Sequence, residues 1–306
     1  MTETMPGPGI YPAIPFATYL SWPAEHQSRL WHIINKTPMH YQEEVLRPRP
    51  PTDDMALGTA GHYAVLQPQV FETLYICEPP VPEGMKKWDR RTKGYKAAAD
   101  EKRADTGKEL LEADEWEFCM RARDSVWKHP VAVDLVKAGQ PEVSVVWTDG
   151  PTGLPMKARF DLWVPKARRI VDIKTCRSAK GSHLGRSAGE LGYHFQMALY
   201  WQALQANIGQ NPNAPIIIAL EKSPPYAVAC YEVKESRADG MPGPLAVGKR
   251  QVRGALDLLA HCMKTGKWPG YDQGLLELEL PPWVGADSWE AAPVEAVEPE
   301  MLDKIF

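Results

Sequence analysis

The chain has 306 residues, 44% hydrophobic and 24% charged, an ordinary globular mix long enough for a sizeable core. Thirty-five basic against 39 acidic residues give a net charge of −4, which excludes a bulk polycation, so any polyanion site must come from local clustering. No apolar run approaches the ~18–20 residues of a membrane span, and the N-terminal MTETMPGPGIYPAIP lacks the basic and apolar regions of a signal peptide. The expected location is therefore the cytoplasm, with no membrane partner. Cysteines 77, 119, 176, 230 and 262 form no CxxC pair. They read as small buried hydrophobes in a reducing compartment and argue against zinc or an iron–sulfur cluster.

Residues 1–24 read as a flexible Pro/Gly-rich lead-in. A helical pattern over 24–46, with Leu30, Ile33 and Ile34 apolar, breaks at Thr37-Pro38. After the loop RPRPPTDD, a second helix is expected from about Met55 to Leu66, capped by Asp53 or Asp54, and its low-bulk GTAGH segment permits close approach of another backbone. Residues 79–105 are Pro-rich and then basic, and a long helical stretch follows over about 108–138. The period then changes. Glu142–Trp147 alternates, TDGPTG turns, Lys157–Val164 alternates again, and PKARR leads to Ile170–Thr175: a three-strand antiparallel meander. A long helix is expected over 188–207, then strands at 216–220 and 226–233, and a helix near 245–264. This order predicts an α/β or α+β fold, a mixed central sheet flanked by helices.

The meander holds the chemistry. Strand parity puts Asp172 and Lys174 on one face, ~6.6 Å apart along the strand, and Asp161 lies on the preceding strand. Charges inside such apolar strands are costly unless paired or bound to a metal. Two carboxylates and a lysine suit a divalent metal site for phosphodiester hydrolysis, with Lys174 orienting a water or holding developing negative charge. A buried Asp–Lys pair of purely structural use is the other reading of Asp-x-Lys. Lys86 to Arg103 contains eight Lys/Arg against three Asp/Glu, with Trp88 and Tyr95 between them. It reads either as a solvated helix face or as a DNA contact through phosphates and stacked bases, with Arg90, Arg91 and Lys93 as candidates.

Asp161, ten intervening residues and Asp172-Ile-Lys174 resemble the signature of the PD-(D/E)XK nuclease superfamily. Gln196-Met-Ala-Leu-Tyr200 resembles the QxxxY motif of its RecB-like branch, with Gln196 and Tyr200 on one helix face. His62 resembles that branch's helix-borne histidine. Further motifs are similar to RecE-like (exonuclease VIII) phage and prophage exonucleases. They are Ser28, Leu30, Thr37, Pro38 and Tyr41; Gly58-Thr59 with His62; Leu66, Pro68, Phe71 and Glu72; and Asp89-Arg-Arg-Thr92. Glu142, Ser144 and Trp147 follow, then Thr152 to Asp161, Tyr193-His-Phe-Gln196 and Leu280-Pro-Pro-Trp283. Phe160, where many relatives carry Pro, is a departure that leaves the carboxylate undisturbed; the acidic C-terminal extension has no counterpart.

The resemblance implies one PD-(D/E)XK restriction-endonuclease-like domain over 25–284, with 285–306 an acidic mobile tail. It implies His62, Asp161 and Asp172 as metal ligands, helped by the Ile173 carbonyl, with Lys174 the catalytic lysine. Gln196 and Tyr200 would support the site or hold the scissile strand. Glu142 would order the metal surroundings or merely pair with a base. The implied activity is Mg²⁺-dependent (Mn²⁺ substituting) 5′→3′ digestion of one strand at double-stranded DNA ends, leaving a 3′ overhang for a single-strand annealing protein. The implied assembly is a ring-like trimer or tetramer in a bacterial host, encoded by phage or prophage. Two other readings stay open: an endonuclease of the same superfamily, and a silent DNA-end-binding protein.

Overall fold

A computed structural model describes residues 4–48, 53–85, 88–271, 274–275 and 277–279. In chain order the elements are β1 (Gly9–Tyr11), α1 (Phe16–Ser21), α2 (Gln27–Asn35), α3 (Pro38–Leu46), α4 (Asp53–Leu66), α5 (Pro68–Leu74) and β2 (Tyr75–Cys77). Next come α6 (Lys93–Thr106), β3 (Glu109–Leu111), α7 (Ala113–Lys128), α8 (Pro130–Ala138), β4 (Gln140–Thr148), β5 (Pro155–Val164) and β6 (Arg169–Cys176). The order ends with α9 (Gly181–Leu191), α10 (Tyr193–Ile208), β7 (Ile216–Glu221), β8 (Val228–Glu232) and α11 (Pro244–Thr265).

The central sheet runs β1-β4-β5-β6-β7-β8 and is antiparallel except for the parallel β6–β7 pair; β2 and β3 form a separate parallel ribbon. The mixed sheet flanked by helices is the one expected. All these elements lie before Pro269, where the chain divides into two units. One sheet face packs Phe160, Ile170 and Ile217 against α2, α10 and α11, with Phe195 and Leu199 at the centre. The other packs Leu162, Ile173 and Ile218 against α4, α5, α7 and α8, with Phe71 and Phe118. Each face thus has its own dry core, as a two-sided sheet requires.

Local chemistry explains most boundaries. The Thr37 hydroxyl accepts the His40 N–H at 3.4 Å and Pro38 takes the first helical position of α3. Thr92 does the same for α6, accepting from Tyr95 N at 3.2 Å.

Three expectations are corrected. The supposed flexible lead-in supplies edge strand β1, which pairs Gly9–Tyr11 with Ser144–Val146, and helix α1. Three residues are too few to show a period, and their pairing is tertiary. The stretch 108–138 is β3, α7 and α8, because Pro130 cannot donate to the preceding turn and starts a new helix. The expected 188–207 helix is α9 and α10, separated by Gly192 at φ +73°, where the Trp31 ring occupies the space of a side chain. The basic stretch forms α6. The Leu280–Trp283 motif, Lys86, Lys87 and the acidic tail lie outside the described residues.

Candidate active site

The strand register places the acids. Continuing the β4–β5 ladder between Pro141↔Leu162 and Val143↔Phe160 sets Glu142 opposite Asp161. Continuing the β5–β6 ladder past its last recorded pair, Leu162↔Val171, would set Asp161 opposite Asp172, but the ladder stops there. The freed Ile173 N–H donates instead to Asp161 Oδ2 at 2.8 Å. Glu142 has φ +55°, left-handed backbone that a non-glycine residue rarely adopts.

His62 comes from α4 on the second face. The small GTAGH residues let α7 lie close, with a Cβ on Gly61 only 3.1 Å from the Phe118 ring, as that segment's low bulk suggests. His62 Nε2 donates to the Ile173 carbonyl at 3.1 Å, which leaves Nδ1 facing Asp161 Oδ2 at 3.6 Å. A ring held this way by a backbone carbonyl is oriented for metal binding through its other nitrogen. The Ile173 carbonyl, expected as a ligand, is thus engaged in fixing His62. His62, Glu142 and Asp161 each offer a ligand atom, all within 4.8 Å of one another.

Asp172 is fully buried beside this trio and turned toward the α10 face. Its Oδ1 accepts Gln196 Nε2 at 3.2 Å, and its Oδ2 lies 2.7 Å from Lys174 Nζ without any aligned hydrogen bond. Gln196 also donates to the Tyr200 hydroxyl at 3.0 Å. Tyr200 is only 8% exposed and packs on Phe160, so it reaches the site through Gln196.

Electrostatics agree with the crowding. Burial, then the Asp172 charge, pushes the Asp161 carboxyl up to about 7, against the pull of His62 and Lys174. Burial draws the Lys174 ammonium down, but Asp172 and Asp161 outweigh it and hold it above its ordinary value. The trio of O/N donors and the accumulated negative charge fit a hard divalent cation.

Two contributors carried no role in the sequence reading. Arg159, two residues before Asp161, donates from Nε to Glu142 at 2.7 Å and from Nη1 to the Ile14 carbonyl and Ser144 Oγ at 2.8 and 3.0 Å. Glu142 therefore both pairs with a base and belongs to the donor trio. Tyr193 places its ring under the Lys174 ammonium, 5.1 Å from the centroid. The signal for Arg159 was a charge inside the strand segment ARFD, on the parity of Asp161.

The basic segment is arranged differently from expectation. Arg90 is bound to Glu78, Glu112 and Asp114, at 3.0, 2.6 and 3.5 Å. Glu78 is buried, and although burial pushes its carboxyl up, Arg90 and the Ala113 N–H hold it below its usual value. Arg90, itself partly exposed, thus closes an ion cluster around the buried Glu78, which engages the guanidinium expected to contact phosphate. Arg91 pairs with Asp89 at 3.0 Å, and Trp88 donates to the Pro79 carbonyl while its ring meets Tyr95 edge-on. Lys93 stands exposed at the start of α6.

Residues 31–277 match the model of a PDDEXK-like domain family of unknown function, DUF3799. The chain belongs to this family. Its fold is similar to a chain from Eubacterium rectale provisionally named an exonuclease, at a TM-score of 0.53 and 12% identity, covering 84% of this chain and 91% of that one. A phage-related exonuclease from Haemophilus somnus 129PT matches at 13% identity over 60% of this chain and 91% of its own, with a TM-score of 0.32. No curated protein sequence is significantly similar to the chain. Membership in a PDDEXK-like family supports a nuclease. Among the described residues no helix is long and apolar enough to cross a membrane.

Proposed function

We propose that the chain is a divalent-metal-dependent exonuclease acting on the ends of linear double-stranded DNA. The observation that carries the reading is the meeting of His62, Glu142 and Asp161 beside the buried Asp172–Lys174 pair, within the motif order of a PDDEXK-like family. His62 through Nδ1, Asp161 and Glu142 would hold the ion, Mg²⁺ or in its place Mn²⁺, with the Asp172 carboxylate beside them engaged by Lys174 and Gln196. A bound divalent cation supplies neutralisation of phosphate charge and a more acidic water.

The chain's own groups do the rest. Lys174, kept charged by two carboxylates, presents an ammonium that orients the attacking water and holds negative charge developing on the phosphate oxygens. Asp172 fixes that ammonium, Gln196 fixes Asp172, and Tyr200 is a positioning residue behind Gln196. Lys93, exposed at the start of α6, remains available to phosphates, whereas Arg91 just before the helix is paired with Asp89. The resemblance to RecE-like exonucleases supports 5′→3′ polarity, a 3′ single-stranded product for an annealing partner, and a ring-like oligomer. End-labelled linear and circular duplex DNA, incubated with Mg²⁺ or EDTA, tests the reading. Loss of label from linear DNA with Mg²⁺ alone is expected, and nicking of circles at an equal rate would instead make the protein an endonuclease.

A further inference from the structure

We infer that the segment leaving the site strand, Arg177 through α9, is the track along which the DNA backbone reaches the metal centre. Arg177, Lys180 and Arg186 are its phosphate contacts. The inference rests on the nuclease reading above and names the surface that reading leaves open.

The composition is one-sided. RSAKGSHLGRSAG, residues 177–189, holds three permanent cations and His183 without a single carboxylate. All four side chains are exposed. Among the described residues none of the three cations takes part in an ion pair, in contrast to Arg90, Arg91 and Arg103 around α6. Glu190, the one acid of α9, is paired with none of them.

Position supports the same conclusion. Arg177 follows Lys174 by three residues, so the two Cα atoms lie within about 11 Å. The far end of α9 joins α10 at Gly192, four residues before Gln196. The segment is thus tethered at both ends to elements of the site. It is also held still: Ala179 N donates to Glu221 Oε1 at 2.9 Å, and the Tyr231 hydroxyl donates to the Ala179 carbonyl at 2.5 Å. Leu184, buried in the first core, sets the rotation of α9 and turns His183 and Arg186 away from it. No side chain caps the start of α9, so its first N–H groups add positive partial charge at that end of the segment. A well-anchored set of unpaired cations joined at both ends to elements of a carboxylate-rich site is electrostatically complementary to a nucleic-acid backbone, and it offsets the negative charge that would otherwise repel one.

The test uses the full-length chain, a fluorescein-labelled linear duplex and EDTA, with Kd measured across a KCl series. The triple variant Arg177→Gln/Lys180→Gln/Arg186→Gln should reduce the slope of log Kd against log salt by two to three units, about one per lost phosphate contact. Its melting temperature should match wild type, because the side chains are exposed. The charge-preserving Arg177→Lys/Lys180→Arg/Arg186→Lys chain should keep the slope. An unchanged slope in the glutamine variant, with wild type still digesting linear DNA, overturns the track and leaves the nuclease reading intact. A reduced slope in a protein that digests no DNA with any divalent ion overturns the nuclease reading and keeps the track. A wild-type chain that binds no DNA overturns both.

Discussion

Glu142 stands across the β4–β5 pair from Asp161, with a ligand atom of each inside a 4.8 Å group that also includes His62. Like charges directly opposite in a sheet are destabilising, and the strained φ of Glu142 adds to the cost. Arg159 offsets part of this at 2.7 Å from Glu142. A divalent cation should offset the remainder. In differential scanning fluorimetry, Mg²⁺ or Mn²⁺ should stabilise the wild type by about 2.7 kcal/mol at a hundredfold excess over Kd. Glu142→Gln and Asp161→Asn should melt no lower than wild type in EDTA yet lose most of the metal increment. Variants that respond to metal as wild type does would remove both residues from the ligand set.

Lys174 and Asp172 should be jointly indispensable for digestion. Lys174→Ala leaves the Asp172 carboxylate buried with Gln196 as its one aligned donor, which should cost about 3–5 kcal/mol. Lys174→Met fills the same space and lets fold and chemistry be separated. A folded Lys174→Met protein that digests linear DNA at the wild-type rate would falsify the assignment of Lys174 to the reaction.

Tyr200 should behave as a support. Tyr200→Phe removes the acceptor of one Gln196 hydrogen bond, a loss of about 1 kcal/mol. The expected result is a few-fold lower kcat with unchanged DNA affinity, whereas Gln196→Ala should lower kcat further. Weakened DNA binding by Tyr200→Phe in a gel-shift assay would instead point to direct strand contact.

Arg90 should matter for stability. Truncating it leaves Glu78 buried with its charge uncompensated. Arg90→Ala should therefore cost about 2 kcal/mol or more in urea unfolding while leaving the salt dependence of DNA binding unchanged. A flattened salt slope with undiminished stability would reverse the assignment.

The meander was legible because alternation is a short-range signal and its turns are short. Asp161, Asp172 and Lys174 could be located from parity alone, and the motif order supplied His62, which the chain brings back over 111 residues to the Ile173 carbonyl. The ion pairs of Arg90 were not legible because composition counts charges without showing which ones are paired, and its partners Glu78, Glu112 and Asp114 are 12 to 24 residues away. Arg159 escaped notice because its role depends on the cross-strand neighbour Glu142 and on the Ile14 carbonyl, neither adjacent in sequence. Strand β1 escaped because three residues carry no period and their stability comes from β4.

Asp149 gives the acid limit of the fold. In the turn between β4 and β5 its fully buried carboxylate accepts Arg253 Nη1 at 3.0 Å, the Thr152 hydroxyl at 2.5 Å and Gln202 Nε2 at 3.3 Å. Burial alone would raise its carboxyl, but Arg253 and Thr152 outweigh it and hold it below the usual carboxylate range. The sign follows from linkage. A carboxyl whose folded value is depressed binds fewer protons in the native than in the unfolded chain, so its contribution is present above the unfolded value of about 4 and is lost as pH falls through the folded value. Asp149→Asn turns an amide toward donors and leaves Arg253 with Asp257 alone, at a cost of about 3 kcal/mol at pH 7. Urea unfolding at pH 7, 5, 3.5 and 2.5 should show the wild type's advantage holding to about pH 5 and then narrowing. A gap that stays constant down to pH 2.5 would mean that Asp149 stabilises the turn through shape and neutral hydrogen bonds rather than through its charge.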